Sequence, residues 1–177
     1  MATSIKIKVD KSGLTAKTKA IRDKAVSREV LTEIGETLVR LNRKNARTGK
    51  AGDGSSFPPL SEKWKIERDK LSKVNNTHLA YGRGRSNITF TGQLVDSMGY
   101  EIDQVAKTVT VDFNPTTRTQ YTGLDGKKIG KAGQTNLEVA ESFFARGIKI
   151  LGMSQEMRDR VNFILTSAIR KLLNSSK

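Results

Sequence analysis

The chain has 177 residues, of which 36% are hydrophobic and 28% charged; this is the size of one domain of about 100–200 residues, and a composition too apolar for a wholly disordered chain. It has no cysteine and one histidine, His78, which excludes disulfides, thiolate zinc sites, cysteine nucleophiles, histidine triads and clustered-histidine metal centres. Lys and Arg number 32 against 18 Asp and Glu, a formal charge of +14, so a polyanion or an acidic surface belongs among the expected partners.

At the start of the chain, Ile5, Ile7 and Val9 alternate with lysines and predict a short strand over 4–10 with one buried face. No continuous apolar run follows that could serve as a secretion signal or membrane span, so a soluble protein made and used without secretion is expected. The Asn-x-Ser/Thr triplets at Asn75, Asn87 and Asn174 are then chance occurrences. From Thr15 to Lys44, Ile21, Ala25, Val30, Ile34, Leu38 and Leu41 recur three to five residues apart without an intervening proline, predicting a long amphipathic helix. Its polar face carries Lys17, Lys24, Arg28, Glu29, Glu33, Glu36 and Arg40. Residues 45–56 contain three glycines and no large apolar side chain until Phe57, and are read as a loop.

Ser61 is placed to cap a second helix over 62–73, with Trp64 and Leu71 on one face. Residues 75–87 are loop-like in composition, and Thr91 is placed to cap a short helix in TGQLVDSM. Tyr100–Ile102 and Thr108–Val111 alternate around Gln104–Lys107, the pattern of an antiparallel hairpin with a four-residue connection. Residues 114–136 hold four glycines and four Lys or Arg with little to bury, and are expected to be a flexible arm or functional loop. After the candidate cap Ser154, Met157, Val161, Ile164, Leu165, Ala168 and Leu172 form the stripe of a last helix over 155–173. No internal repeat is evident. The expected architecture is one α+β domain over 1–177, its N-terminal and C-terminal helices packed on a small antiparallel sheet. Loops 45–56, 75–88 and 114–136 are expected to be flexible or ordered by partners.

The chemistry-bearing residue types are sparse. Near Gly123–Lys131 the glycines stand at the wrong spacing for a phosphate loop and no Ser or Thr follows either Gly-Lys pair. Asp125 cannot open an EF-hand loop, because Lys127 occupies a ligand position. Gly82-Arg83-Gly84-Arg85-Ser86 combines close backbone approach with bidentate donors and could contact phosphate; Tyr81 and Phe90 are the flanking aromatics that could stack bases. Arg43, Lys44, Arg47 and Lys50 pose the same question. Glu138 with Glu141 is the carboxylate pair an enzyme reading would need, and solvated surface charge is the simpler account. No catalytic residue, metal ligand or cofactor is assigned.

Three segments, in order, resemble the virion-morphogenesis proteins of tailed bacteriophages, the tail-completion and neck group. The first is Asp53-Gly54-Ser55-Ser56-Phe57-Pro58-Pro59-Leu60-Ser61 with Trp64 beyond it, following the long helix. The second is Phe90-Thr91-Gly92-Gln93-Leu94-Val95-Asp96-Ser97-Met98, before the hairpin. The third is Phe144-Ala145-Arg146-Gly147-Ile148-Lys149-Ile150-Leu151-Gly152-Met153-Ser154, before the last helix. The chain departs from the group in lacking its histidine-containing run after the hairpin, and in having Gly147 for a proline and Ile150 for an aromatic. The resemblance implies a non-enzymatic structural subunit without cofactors, self-assembled as a ring for which six-fold order is a candidate. It implies neighbours among the connector, neck, tail-tube and terminator proteins, and a place in the virion at the head–tail junction or the head-proximal tail end after synthesis in the host cytoplasm. In such a ring Arg83, Arg85, Lys127, Lys128 and Lys131 are candidate contacts to packaged DNA or an acidic partner; no membrane is involved. The alternative is a stand-alone basic nucleic-acid-binding protein, for which no recognised module is present.

Overall fold

Alternating apolar and polar residues build a three-stranded sheet from β1 (Ile5–Lys8), β2 (Met98–Asp103) and β3 (Thr108–Phe113). The order is β1-β3-β2, with both outer strands antiparallel to β3. The computed structural model describes residues 4–8, 21, 23–59, 61–62, 65–66, 93–122, 126, 128–129 and 131–175; Val9 and Asp10, the end of the strand expected over 4–10, lie outside them. Across the sheet, Ile5 and Tyr100 flank Val111, Ile7 and Ile102 flank Val109, and Met98 pairs with Phe113. These rows face the core, where Met98, Val109, Val111 and Phe113 are buried. The hairpin has the expected four-residue connection. Asp103 Oδ1 accepts from the Val105 and Ala106 amides at 2.9 and 2.8 Å, and Lys107 adopts φ 53°, the left-handed step that brings the chain back into β3.

Helix α1 (Arg28–Arg47) lies on this face and buries Leu31, Ile34, Leu38 and Leu41. The continuous helix expected over 15–44 is interrupted. Residues 21 and 23–25 are helical, Val26 and Ser27 are not, and the helix begins again with Ser27 extended at φ −73°, ψ 169°, its hydroxyl accepting from the Val30 amide. The reason is local. Ala25 and Val30 are five residues apart, more than one helical turn, and serine is among the best N-caps. The Ser27 hydroxyl, with Glu29's own backbone amide, also holds the Glu29 carboxyl below its ordinary pKa. At the other end α1 runs on through Arg47, into the segment expected as loop, because Asn45 and Ala46 continue the buried stripe.

Gly35 permits the close seat of α1 on β2: a Cβ there would stand 2.3 Å from the Tyr100 ring. Gly35→Ala is therefore expected to lower unfolding free energy by about 1–3 kcal/mol through overpacking, measurable by urea denaturation. Unchanged stability would show that the ring swings aside without cost.

Helix α4 (Gln155–Ser175) begins as expected, with Ser154 Oγ accepting from the Met157 amide at 3.4 Å. Met157, Val161 and Ile164 are buried, whereas Leu165, Ala168 and Leu172 are partly exposed. The short helix expected near TGQLVDSM is α2 (Gln93–Asp96), its proposed cap Thr91 lying outside the described residues. Of the helix expected over 62–73, Glu62, Lys65 and Ile66 are helical, with the Lys65 amide bonded to the Ser61 carbonyl.

Residues 114–136 are not structureless. They contain a small hairpin of β4 (Tyr121–Thr122) and β5 (Lys128–Ile129), and an isolated bridge joins Thr117 to Thr135. The Gln93 amide group ties this segment to α2, accepting from the Thr119 amide at 2.8 Å and donating to its carbonyl at 3.3 Å. Helix α3 (Asn136–Ala145), absent from the sequence expectation, follows. It starts in a capping box: Thr135 Oγ1 accepts from the Glu138 amide and the Glu138 carboxylate accepts from the Thr135 amide, satisfying two otherwise orphaned donors.

Candidate functional site

Helices α1 and α3 end in the same way, and the loops leaving them meet. After α1, the Gly49 amide donates to the Ala46 carbonyl and the Lys50 amide to that of Asn45, with Gly49 at φ 79°. After α3, the Gly147 amide donates to the Phe144 carbonyl and the Ile148 amide to that of Phe143, with Gly147 at φ 76°. Both are Schellman ends, in which a left-handed residue turns the chain back over the last carbonyls. Gly147, where the phage group has proline, is thus the residue that closes α3. Its neighbour Arg146 turns back on that helix, donating from Nε to the Ser142 carbonyl and lying 4.5 Å over the Phe143 ring; Ala145 is exposed at the helix end.

The two loops cross at Gly52 and Gly152. The Gly52 amide donates to the Lys149 carbonyl at 2.9 Å. A Cβ on Gly52 would stand 1.9 Å from the Gly152 nitrogen, and one on Gly152 would stand 2.4 Å from the Asp53 nitrogen. Asn42, fully buried on α1, holds the crossing from beneath: its Oδ1 accepts from the Gly152 amide at 3.2 Å, and its Nδ2 donates to the Leu38 carbonyl at 3.0 Å and lies 3.6 Å from Met157 Sδ. Segment 49–57 is itself a tight turn. The Ala51 amide bonds the Ser55 carbonyl, the Gly54 amide bonds that of Ala51, and the Phe57 amide bonds that of Gly49. Asp53 Oδ1 accepts from the Ser55 amide and hydroxyl at 2.9 and 2.6 Å, which holds its carboxyl below the ordinary aspartate range, the hydroxyl contributing most. Gly54 takes φ 91° at the tip. Phe57 is buried, Pro58 exposed and Leu151 partly buried against the core.

Residues 93–98 are held to the same half of α1. Arg43 Nη2 donates to the Asp96 and Met98 carbonyls at 2.9 and 2.7 Å, and Arg47 Nη2 pairs with Asp96 Oδ1 at 2.8 Å. Leu94 is buried; Ser97 Oγ donates to the Leu94 carbonyl, and the Ser97 carbonyl accepts from the Asn114 amide as the chain leaves β3. Thus Asp53, Gly54, Phe57, Leu94, Ser97, Leu151 and Gly152, spread over a hundred positions, converge around Asn42–Arg47. Leu60, Trp64, Thr91 and Gly92 lie outside the described residues.

Arg43 and Arg47, which the sequence leaves open to phosphate contact, are helical and engaged within the subunit. They flank a surface groove of about 630 Å³ between α1 and β2 that Arg40, Tyr100 and Asn114 also line. A second groove, of about 750 Å³, separates α1 from α4, between Arg40 and Phe163, and Lys44 and Glu156 pair at 3.2 Å between the same helices. Lys128 and Lys131 are exposed; Arg83, Arg85, Lys127 and His78 lie outside the described residues. Glu138 is committed to the cap of α3, leaving Glu141 exposed beside it. The convergence of the motif segments had no signal in the sequence; the start of α3 did, in Thr135-Asn136-Leu137-Glu138.

Comparison with protein-family models, with curated proteins and with solved structures finds no match to this chain.

Proposed function

We propose that this chain is a structural subunit of a tailed-phage virion, a tail-completion or neck component that assembles as a ring at the head–tail interface. The observation that carries the reading is the employment of the motif residues. Gly152 lets its loop cross the other at Gly52, Asp53 and Gly54 shape a turn, Arg146 packs back on the end of α3, and Ser97 links α2 to the sheet. Residues so used specify a shape. The large apolar side chains left at the surface are consistent with a subunit completed by its neighbours: Val105, at the hairpin tip, is 92% exposed and Phe163, on α4, is 60% exposed. The proposed neighbours are further copies of the chain and the connector, neck, tail-tube or terminator proteins of the same virion. The +14 charge suits contact with packaged DNA or an acidic ring.

Light scattering of the purified chain across protein and salt concentrations, followed by negative-stain imaging, tests this reading. Closed rings are expected, either from the chain alone or once connector and tail proteins are added. A monomer or dimer that ignores those proteins, yet binds duplex DNA with an affinity falling steeply with salt, would replace it with the nucleic-acid-binding alternative.

A further inference from the structure

The two outer strands of the sheet carry opposite charges at matching positions. Because β1 and β2 both run antiparallel to β3, they run parallel to each other, and the register aligns them in rows: Ile5–Val111–Tyr100, Lys6–Thr110–Glu101, Ile7–Val109–Ile102 and Lys8–Thr108–Asp103. The first and third rows face α1. The second and fourth belong to the opposite face, with lysines at one edge and carboxylates at the other, and Lys6, Glu101 and Asp103 are exposed. Among the described residues no strand pairs with the outer edge of either β1 or β2. At the start of β2, Arg43 holds the Met98 carbonyl and the Asn114 side chain lies against Gly99. This leaves Tyr100–Asp103 as the open run, the same length as β1.

From this pattern we infer that a second copy of the chain occupies the β2 edge, adding its β1 in parallel so that the sheet continues from subunit to subunit. Charge selects this pairing over the symmetric ones. Joining two β1 edges sets lysine against lysine, and joining two β2 edges sets carboxylate against carboxylate; like charges directly across strands are destabilising. Joining β2 to the next β1 in the existing register brings Lys6 beside Glu101 and extends the apolar rows from Tyr100 and Ile102 to Ile5 and Ile7. Such an interface uses two different surfaces of one subunit, the kind that generates a ring when the rotation between copies closes, and main-chain bonds along the added strand supply affinity. The inference rests on the ring reading above and assigns its interface.

The test uses the full chain in four forms, wild type, Lys6→Glu, Glu101→Lys and the double variant, with circular dichroism melts to confirm folding. Each reversal alone is expected to weaken assembly roughly tenfold or more per interface. The double variant is expected to recover it, because every junction again pairs opposite charges, and an equimolar mixture of the two single variants is expected to recover it by alternating the two forms. Rings that form equally well from either folded single variant would overturn this interface while leaving the ring reading standing. No assembly of the wild type, alone or with connector and tail proteins, would overturn both.

Discussion

Gly52→Ala is expected to destabilise the fold by about 3 kcal/mol, seen as a fall in thermal midpoint of roughly 6–12 °C for a chain of this size. The added methyl would point at the Gly152 nitrogen from 1.9 Å and at the Leu151 carbonyl carbon from 2.3 Å. Both are backbone atoms, so relief requires the two loops to separate, with loss of the bond from the Gly52 amide to the Lys149 carbonyl. A control separates this clash from the general cost of replacing glycine. At Gly147, where an added Cβ meets nothing within 4 Å but φ is 76°, alanine carries left-handed strain of about 1–2 kcal/mol. Equal losses at the two positions would refute the close crossing.

Asn42→Ala is expected to cost about 2–4 kcal/mol. Alanine vacates a fully buried position and leaves the Gly152 amide without the Oδ1 it bonds at 3.2 Å. Asn42→Leu distinguishes these contributions. It restores much of the volume but not the acceptor, so it should recover only part of the loss in urea denaturation, the remainder measuring the orphaned amide. A leucine variant as stable as the wild type would mean that packing, rather than the hydrogen bond, holds the 147–154 loop against α1.

The sequence and the structure agree where the pattern is local. Alternation around Gln104–Lys107 sufficed for the hairpin, because each strand shows one face to the core and the turn residues lie between them. The last helix was legible from Ser154 and the spacing of Met157, Val161 and Ile164. The break at Ser27 was legible too, in the five-residue step from Ala25 to Val30, but a stripe continuing on both sides conceals it when the run is read as a whole. Helix α3 was obscured because Thr135 and Glu138 follow a glycine-rich basic segment whose composition suggests loop throughout. The meeting of Gly52 with Gly152 left no local trace: each glycine alone reads as a turn, and nothing in either loop specifies the other as its neighbour. The same holds for Arg43, whose charge suggests solvent or phosphate and whose guanidinium instead collects two carbonyls. In the candidate site, therefore, the identities of many contributing residues were readable from sequence, while their convergence required the fold.

Asn42 and Gly152 are 110 positions apart, which places the crossing after α1 and the β2–β3 hairpin in the order of events as the chain is made. Helix α1 and the β2–β3 hairpin can form as soon as their own residues are available, and Asn42 Nδ2 finds the Leu38 carbonyl within α1, but Asn42 Oδ1 has no Gly152 amide to accept from until position 152 has been made. A chain truncated before that point would leave Asn42 Oδ1 without the Gly152 amide and the core face of α1 uncovered by Met157, Val161 and Ile164, a surface that invites misassociation. For the ring proposed above, such timing would have a use: a subunit becomes fit to assemble only after the segment around Gly152 has been made.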